Sequence, residues 1–494
     1  MEGYGFWSVV PPLIAIILAI RTRQVLVSLL TGLLAGNIIL AHGNVLAGTA
    51  GTVKSLAAVF ASEGSTMTIM FTLLMGVIIA FIQRSGGVEG FISRVRLGTL
   101  PDDEKSLDRL RSKYSIMAAL TGLVIFVESN ISSLTVGTLF RPVTDRLKIP
   151  REKLAYIADS TSAPSSVLIP LNAWGGFIMG LLVIQGFENP FGTMLNAMIF
   201  NFYPILTLIL VFFIAFTGKD FGPMRKATVR ARREGKLLAD NARPMVSSDI
   251  TILSTKENIT PRAVNMFLPI GIMVVSIPLM LVLTGWQNIP RADELAFMQK
   301  IQAAIAGSSG AEAVLYSVLL ALAGSIILYA SQKVLTIREM TELAMKGMGG
   351  MIQMALLMVF AFALGNLCSN LGTGTYVAGI AARTISPSLV PFVIFIISCF
   401  IAFSTGTSWG TFAIMIPLAV PMATEMDASI HMAIAAALGG GVFGDHCSPV
   451  SDTTIISSMA SASDHIDHVR TQLPYALLTG LVTASVYLIY GIIN

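Results

Sequence analysis

Apolar residues gather along this chain in continuous runs of about 17 to 25 positions, the length a helix needs to cross a bilayer. Ten such runs predict full spans, near 6–20, 24–41, 66–83, 153–183, 196–217, 263–284, 311–330, 350–366, 431–463 and 473–493. Two further segments break the pattern, being apolar at both ends and polar at the centre. Within 114–140 the chain reads LVIFVESNISSLTVG, and within 389–422 it reads FVIFIISCFIAFSTGTSWGTFAIMIPLAVP. Each arm of the first is about 13 residues, or about 20 Å of helix, against a hydrocarbon core of about 30 Å. Both segments are therefore expected to be re-entrant hairpins, with tips at Glu128–Ser133 and Ser404–Ser408. Two short tilted spans are the alternative for the first.

Composition agrees with the pattern. Of 494 residues, 54% are hydrophobic and 12% charged, with a mean hydropathy of +0.76. A soluble domain carries about 25% charged residues. The fold class expected is an all-α polytopic membrane protein. Cys368, Cys399 and Cys447 are too widely spaced for a disulfide or zinc framework. The N-terminal MEGYGFWSVVPP lacks a basic region and a small-residue cleavage site, and reads as the lead-in to a first span. The net charge of +4 reports where basic residues sit and implies no nucleic-acid partner.

Lysine and arginine mark the cytoplasmic side. They cluster at Arg21 with Arg23, Arg84–Lys113, Arg141–Lys153, Lys219–Arg262 and Lys333–Lys346, whereas 42–65, 184–195, 285–310 and 367–388 hold few and read as external. Both termini are then outside. By the same count the two hairpins enter from opposite faces. Each hairpin is followed by a long helix with a break: EKLAYIADSTSAPSSVLIPL after the first, AAALGGGVFGDHCSPVSDTTIISS after the second. Aligning Asp159 with Asp445 places Ser162 on Ser448, with Pro164 and Pro449 one residue out of step. The expected organisation is a first repeat over 1–217, a basic cytoplasmic loop over 218–262 and a second repeat over 263–494. That is an inverted-topology repeat, an architecture many secondary transporters use.

The breaks have a local cause. Pro164 and Pro449 remove a helical amide, and Gly439–Gly441 with Gly444 lower helix propensity beside the second. Freed backbone groups cannot face lipid, so the breaks and tips must line a wet or protein-filled cavity. Hydroxyl, amide and carbonyl oxygens there suit a hard cation such as Na⁺. The candidate ligands are Ser129, Asn130, Ser132, Ser133, Ser404, Thr405, Thr407, Ser408, Ser162, Ser165, Ser448, Ser451 and Thr453. The carboxylates matter more, because an intramembrane charge costs at least about 2.5–3.5 kcal/mol. Asp445 and Asp452 are the expected carrier pair, Asp159 their counterpart, and Glu128 a tip residue. A carboxylate that holds either a proton or a cation, and crosses only when loaded, gives antiport. Each also has a structural reading: a snorkelling Glu128, and N-caps at Asp159 and Asp452. His446 is a possible proton carrier or a hydrogen-bonded structural side chain, and Cys447 reads as a small buried one. His465 and His468, beside Asp464 and Asp467, resemble a metal pair at a membrane edge, where polar caps are ordinary; no metal is expected beyond transported Na⁺. The stretch VRARREGK reads as a solvated surface. No HExxH motif is present, and no enzyme activity is expected.

The C-terminal stretches NLGTGTYVAG, FSTGTSWGTFAIMIPLA, GGVFGDHCSPVSDTTIISS and DHIDHVRTQLPYAL, with SSLTVGTLFRPVTDRLKIPREKLAYIADSTSAP in the first half, resemble the NhaC-type sodium/proton antiporter family. The resemblance runs from about residue 66 to 493. It implies secondary active transport in a bacterial inner membrane, with Na⁺ and H⁺ as transported ions and no cofactor. It also implies a scaffold domain, a transport domain with two hairpins and two broken helices, and a homodimer. Some relatives exchange organic acids such as malate or lactate, so an ion-coupled exchanger of a small organic anion or amino acid is the alternative.

Overall fold

The computed structural model describes residues 4–22, 24–92, 101, 103–126, 129–170, 172–244, 255–256, 259–286, 300–301, 304, 308, 310–373, 376–377, 379–380, 385–449 and 451–493. Among them there is no sheet, only an isolated bridge between Pro244 and Asp464. The first half opens with α1 (Val10–Thr22), α2 (Val25–Leu40), α3 (Val45–Val59), α4 (Glu63–Arg84) and α5 (Gly87–Ile92). A hairpin of α6 (Glu104–Val124) and α7 (Ser129–Arg146) follows, then α8 (Arg151–Ser160), α9 (Ala163–Leu168), α10 (Ala173–Ile184), α11 (Pro190–Met198), α12 (Phe202–Thr217) and α13 (Gly222–Glu234). The second half holds α14 (Val264–Gly285), α15 (Gly310–Ser331) and α16 (Ile337–Leu371), a second hairpin of α17 (Val390–Thr405) and α18 (Ser408–Glu425), then α19 (Ile430–Cys447), α20 (Asp452–Ala460) and α21 (His465–Ile493).

Among the described residues, seven helices are long and apolar enough to cross a bilayer, or eight if the bent pair of Arg151–Leu168 with Ala173–Ile184 is one span. Ten were expected. The difference lies in 6–20 and 24–41, which fold as helices of 13 and 16 residues, in 153–183, which counts only as the bent pair, and in 431–463, which divides into α19 and α20; in their place Pro387–Thr405, the first arm of a segment expected to be re-entrant, is long and apolar enough to span. Conversely, 42–65 holds the apolar helix α3, capped by the Asn44 side chain on the amide of Ala47. Both hairpins form; the arms of the first, expected to have about 13 residues, have 21 and 18 (α6 and α7), and those of the second have 16 and 18 (α17 and α18). The first turn falls between α6 and α7, so Ser129–Ser133 start the descending helix instead of forming the tip. The second turn is tight because Gly406 takes the left-handed conformation (φ 70°), open to glycine without a Cβ clash, and the Thr407 hydroxyl caps the amide of Gly410.

The hairpins open toward opposite ends of α21, which at 1.5 Å per residue is about 44 Å long. At its start, Arg151 pairs with Asp145 at the base of the first hairpin and donates to the Ala462 carbonyl. At its end, Gly491 packs on the Ser388 backbone at the base of the second, where a Cβ would lie 1.9 Å from the carbonyl oxygen. Four of the five basic clusters meet at the first of these ends. Arg84 donates to Thr255, Lys256 pairs with Glu339, Arg232 with Asp108, and Lys153 with Asp220. The VRARREGK stretch is not merely solvated. Arg230 on α13 forms a 2.7 Å ion pair with Glu152, which is 1% exposed, and so clamps α8.

Candidate ion site

Asp159 lies on the last turn of α8, two residues before its backbone breaks at Thr161–Ser162. Asp445 lies on the last turn of α19, three residues before the break that opens at Ser448. The first break leads into α9 with Pro164 near its start, and the second contains Pro449. Gly444 is no part of a break. It is helical, as are Gly439–Gly441, because these glycines serve packing: a Cβ on Gly440 would lie 2.5 Å from the Phe395 carbonyl oxygen, and one on Gly444 2.5 Å from that of Cys399. Tertiary contact with α17 overrides their low helix propensity.

Two polar groups result. In the first, Asp445, 2% exposed, accepts a 2.5 Å hydrogen bond from the hydroxyl of Ser408, the first residue of α18. Beside it the Ser448 hydroxyl donates to the Phe403 carbonyl near the end of α17. In the second, Asp159, fully buried, accepts from Thr454 of α20 (3.1 Å) and from the Gln472 amide of α21 (2.7 Å), both through Oδ2. Its Oδ1 makes no hydrogen bond among the described residues. The two groups are one step apart, because the same Gln472 nitrogen donates to the His446 carbonyl at 2.6 Å. His446 is itself buried between two hydroxyls, with Ser160 at 3.0 Å and Tyr203 at 2.8 Å.

The other expected ligands divide. Ser133 reaches across to the Ala158 carbonyl and Ser132 back to that of Gly122, near the second group. Ser162 donates to the carbonyl of Asp159, Ser165 to that of Thr161 and Thr405 to that of Ile401. Ser451 and Thr453 share a 3.0 Å hydrogen bond at the start of α20. Ser129 is buried, Ser404 half-buried, and the side-chain oxygen of Asn130 makes no hydrogen bond among the described residues. Glu128 lies outside the described residues, and of Asp452 only its place as the first residue of α20 is described. Thr454 and Gln472 were missed. The one available signal was that Gln472 sits four residues after His468 on an otherwise apolar helix, hence on the same face.

His465 and His468 do not converge as a metal pair. Both turn Nδ1 to the Ser458 hydroxyl, at 3.1 and 2.8 Å. No cluster of three or more potential metal ligands occurs among the described residues. The stretch Gly406–Gly410, GTSWG, has the letters of the G-x-S-x-G nucleophile elbow, a motif the chain was expected to lack. That motif needs a strand-to-helix turn, whereas here it joins two helices and its serine bonds a carboxylate. A cavity of about 630 Å³ lies at the base of the first hairpin, lined by Lys105, Arg109, Lys148, Lys219, Arg232 and Asp108 among others, and reaches neither Asp159 nor Asp445.

The overall fold is similar to that of solved transporters. The chain superposes on the Alcanivorax borkumensis YdaH transporter with a TM-score of 0.54 over 90% of this chain and 88% of that one, at 13% identity. It matches Neisseria gonorrhoeae MtrF, described within a class of antimetabolite efflux pumps, with a TM-score of 0.54 over 92% and 85%, at 14% identity. Such likeness shows the fold. By sequence, an uncharacterized protein of Haemophilus influenzae is 33% identical over 98% of this chain and 91% of its own length. A malate-2H⁺/Na⁺-lactate antiporter of Bacillus subtilis is 30% identical over 126 residues, 24% of this chain and 27% of that protein. The model of the Na⁺/H⁺ antiporter family matches residues 173–492, nearly two thirds of the sequence. The chain is a multi-pass membrane transporter and belongs to the Na⁺/H⁺ antiporter family.

Proposed function

We propose that the protein exchanges Na⁺ for H⁺ across the bacterial cytoplasmic membrane by alternating access, with Asp159 and Asp445 as the charged centres of the loaded site. The observation that carries this reading is Asp159. It is fully buried, and among the described residues the side chains that hydrogen-bond it are neutral, the Gln472 amide and the Thr454 and Thr453 hydroxyls. An ionised carboxylate in that setting is costly unless a proton or a cation joins it. Both aspartates stand within one turn of a buried helix break, where carbonyls and hydroxyls complete a shell for a hard cation. Asp445 and Ser448 against the turn of the second hairpin, and Asp159 with Ser162 and Thr453, are the two halves of that shell. Asp452 and Glu128 add charge to it, and the two halves derive from repeats over 1–217 and 263–494.

The test is reconstitution with a pH-sensitive dye inside the vesicles, adding Na⁺, Li⁺ or K⁺ outside. Cation-dependent proton flux is expected, and its absence for every cation excludes the reading. A second reading, ion-coupled exchange of a small organic anion, is favoured by the likeness to the malate/lactate antiporter over 126 residues. Uptake of labelled malate or lactate driven by a Na⁺ or proton gradient distinguishes it from simple cation exchange.

A further inference from the structure

The pair His465 and His468 has no part in the site above, yet both rings are fully engaged. His465 Nε2 lies 2.6 Å from the Pro449 carbonyl and its Nδ1 3.1 Å from Ser458 Oγ. His468 Nδ1 lies 2.8 Å from the same Oγ and its Nε2 2.9 Å from Gln472 Oε1. The chain of contacts thus runs Pro449 carbonyl, His465, Ser458, His468, Gln472. Both ends only accept. The Pro449 oxygen is a carbonyl. Gln472 must turn its NH₂ to the His446 carbonyl, which fixes Oε1 toward His468.

Counting hydrogens gives the inference. Four contacts need four hydrogens. Neutral His465, Ser458 and His468 supply one each, three in all. Two bare acceptor atoms at 2.8–3.1 Å repel, so completing the chain needs one further proton. Ser458 also approaches the Thr454 carbonyl at 2.8 Å. If its hydroxyl turns there, both Nδ1 atoms must donate and the demand rises to two.

We propose that Ser458, His465 and His468 form a proton-binding site that holds one exchangeable proton beside Asp159, and that the charge at Asp159 sets which histidine carries it. This rests on the antiport reading. In one state His465 is the imidazolium: its Nδ1–H donates to Ser458, and the Ser458 O–H donates to His468 Nδ1. Transfer moves the Nδ1 proton of His465 onto Ser458 Oγ as the Ser458 proton moves onto His468 Nδ1. His468 is then the imidazolium and the serine is again neutral. His465 is half-buried at the membrane edge and meets bulk protons, whereas His468 is fully buried. Gln472 carries no proton onward, since an amide nitrogen that donates to two acceptors has no free base. It transmits charge: Nε2 donates to Asp159 while Oε1 accepts from His468. An anionic Asp159 draws the proton to His468. A cation bound at Asp159 repels it to His465 and out, so cation loading and proton release are coupled without sharing a ligand.

Other charges face the pair. Asp464, Asp467 and Arg470 lie on or beside α21, Arg151 and Glu152 on α8, His446 on α19, Arg230 on α13, and Arg243 in the loop that bonds Asp464. The acidic members and Asp159 favour a protonated pair; Arg230, Arg243 and burial oppose it.

The full chain, reconstituted with ¹⁵N-labelled imidazoles, presents five histidines, assigned through His465→Gln and His468→Gln. At pH 6 without Na⁺, one imidazolium distributed over positions 465 and 468 is expected. Two neutral rings there overturn the site, whatever transport shows. Flux is read in the same vesicles. Ser458→Ala should lower it by about a hundredfold, the lower end of what a positioned proton-transfer group contributes, and Ser458→Thr, which keeps the hydroxyl, should restore most of it. Unchanged flux in Ser458→Ala, or equal loss in both variants, overturns the coupling. Absence of flux in the unmodified protein instead fails the antiport reading, and the coupling with it, while the imidazolium signal still decides the proton site.

Discussion

Gln472 uses one nitrogen to hold both Asp159 and the His446 carbonyl, so its loss removes the group that orients the carboxylate without touching the ion. Groups of this kind cost about 10–100-fold in metal affinity when removed. Gln472→Ala is expected to weaken Na⁺ binding within that range, whereas Asp159→Asn should abolish exchange. An isothermal titration with Na⁺ at pH 8 reads the first, and unchanged affinity refutes the orienting role. Outside the spans, Asp464 gives a pH-dependent test. Burial alone would raise its carboxyl, but the backbone amides of Asp467, Arg243 and Ile466 hold it below the ordinary value. A carboxylate lowered in the folded state contributes stability above its unfolded pKa, about 3.9, and loses it as pH falls through the lower folded value. Asp464→Ala should therefore cost about 1 kcal/mol at neutral pH, as a lost helix cap does, and less near pH 3. Thermal unfolding of both proteins at the two pH values checks it; an equal difference at both rules out the carboxylate as the cause.

At the scale of elements, α19 is bound to α17 by what its glycines lack. Gly444→Val would drive methyls into the Cys399 and Phe403 backbone, and overpacking of this kind costs about 1–3 kcal/mol or more. Gly350→Ala on the exposed face of α16 meets nothing within 4 Å and should gain about 0.5–1 kcal/mol. Unfolding of the two variants in detergent separates the explanations: equal, mild effects would show that the glycines matter only through propensity. The same helix shows what was legible in the chain. Hydropathy located α4, α14, α15, α16 and α21, and the polar interruptions located both hairpins, because apolar length and a polar centre are local properties. Gly444, expected to belong to the break, is helical because its purpose is set by α17, some 45 positions away. Thr454 was invisible for the same reason, and Gln472 was marked only by sharing a face with His468: their partner Asp159 lies 295 and 313 positions distant, and a single hydroxyl or amide on an apolar helix says little until the facing helix is placed. Pro449 and Asp445 were legible because a proline and an intramembrane carboxylate are exceptional in any partner's company.

For the whole molecule, the decisive relation is that the hairpins open toward opposite ends of α21, with four of the five basic clusters gathered at one of them. Positive charge marks the cytoplasmic face, so the base of the first hairpin should be cytoplasmic and that of the second external. Cys368, Cys399 and Cys447 are all buried, which leaves a low background for single introduced cysteines. Lys148→Cys, at the end of the first hairpin, and Asp427→Cys, in the turn after the second, place one reporter at each base. In intact cells an impermeant maleimide should label position 427 and spare position 148, and inverted vesicles should reverse the result. A topology in which both hairpins enter from one face predicts labelling of both positions in the same preparation, and that outcome would dismantle the opposed arrangement. The chemistry depends on it. Asp159 and Asp445 each follow one of the two hairpins, yet the Gln472 amide links Asp159 to the residue after Asp445. If the opposed arrangement holds, each carboxylate has its own hairpin as a gate to its own side of the membrane. A site with one gate on each side can open to either solution without opening to both, and that separates an exchanger from a leak.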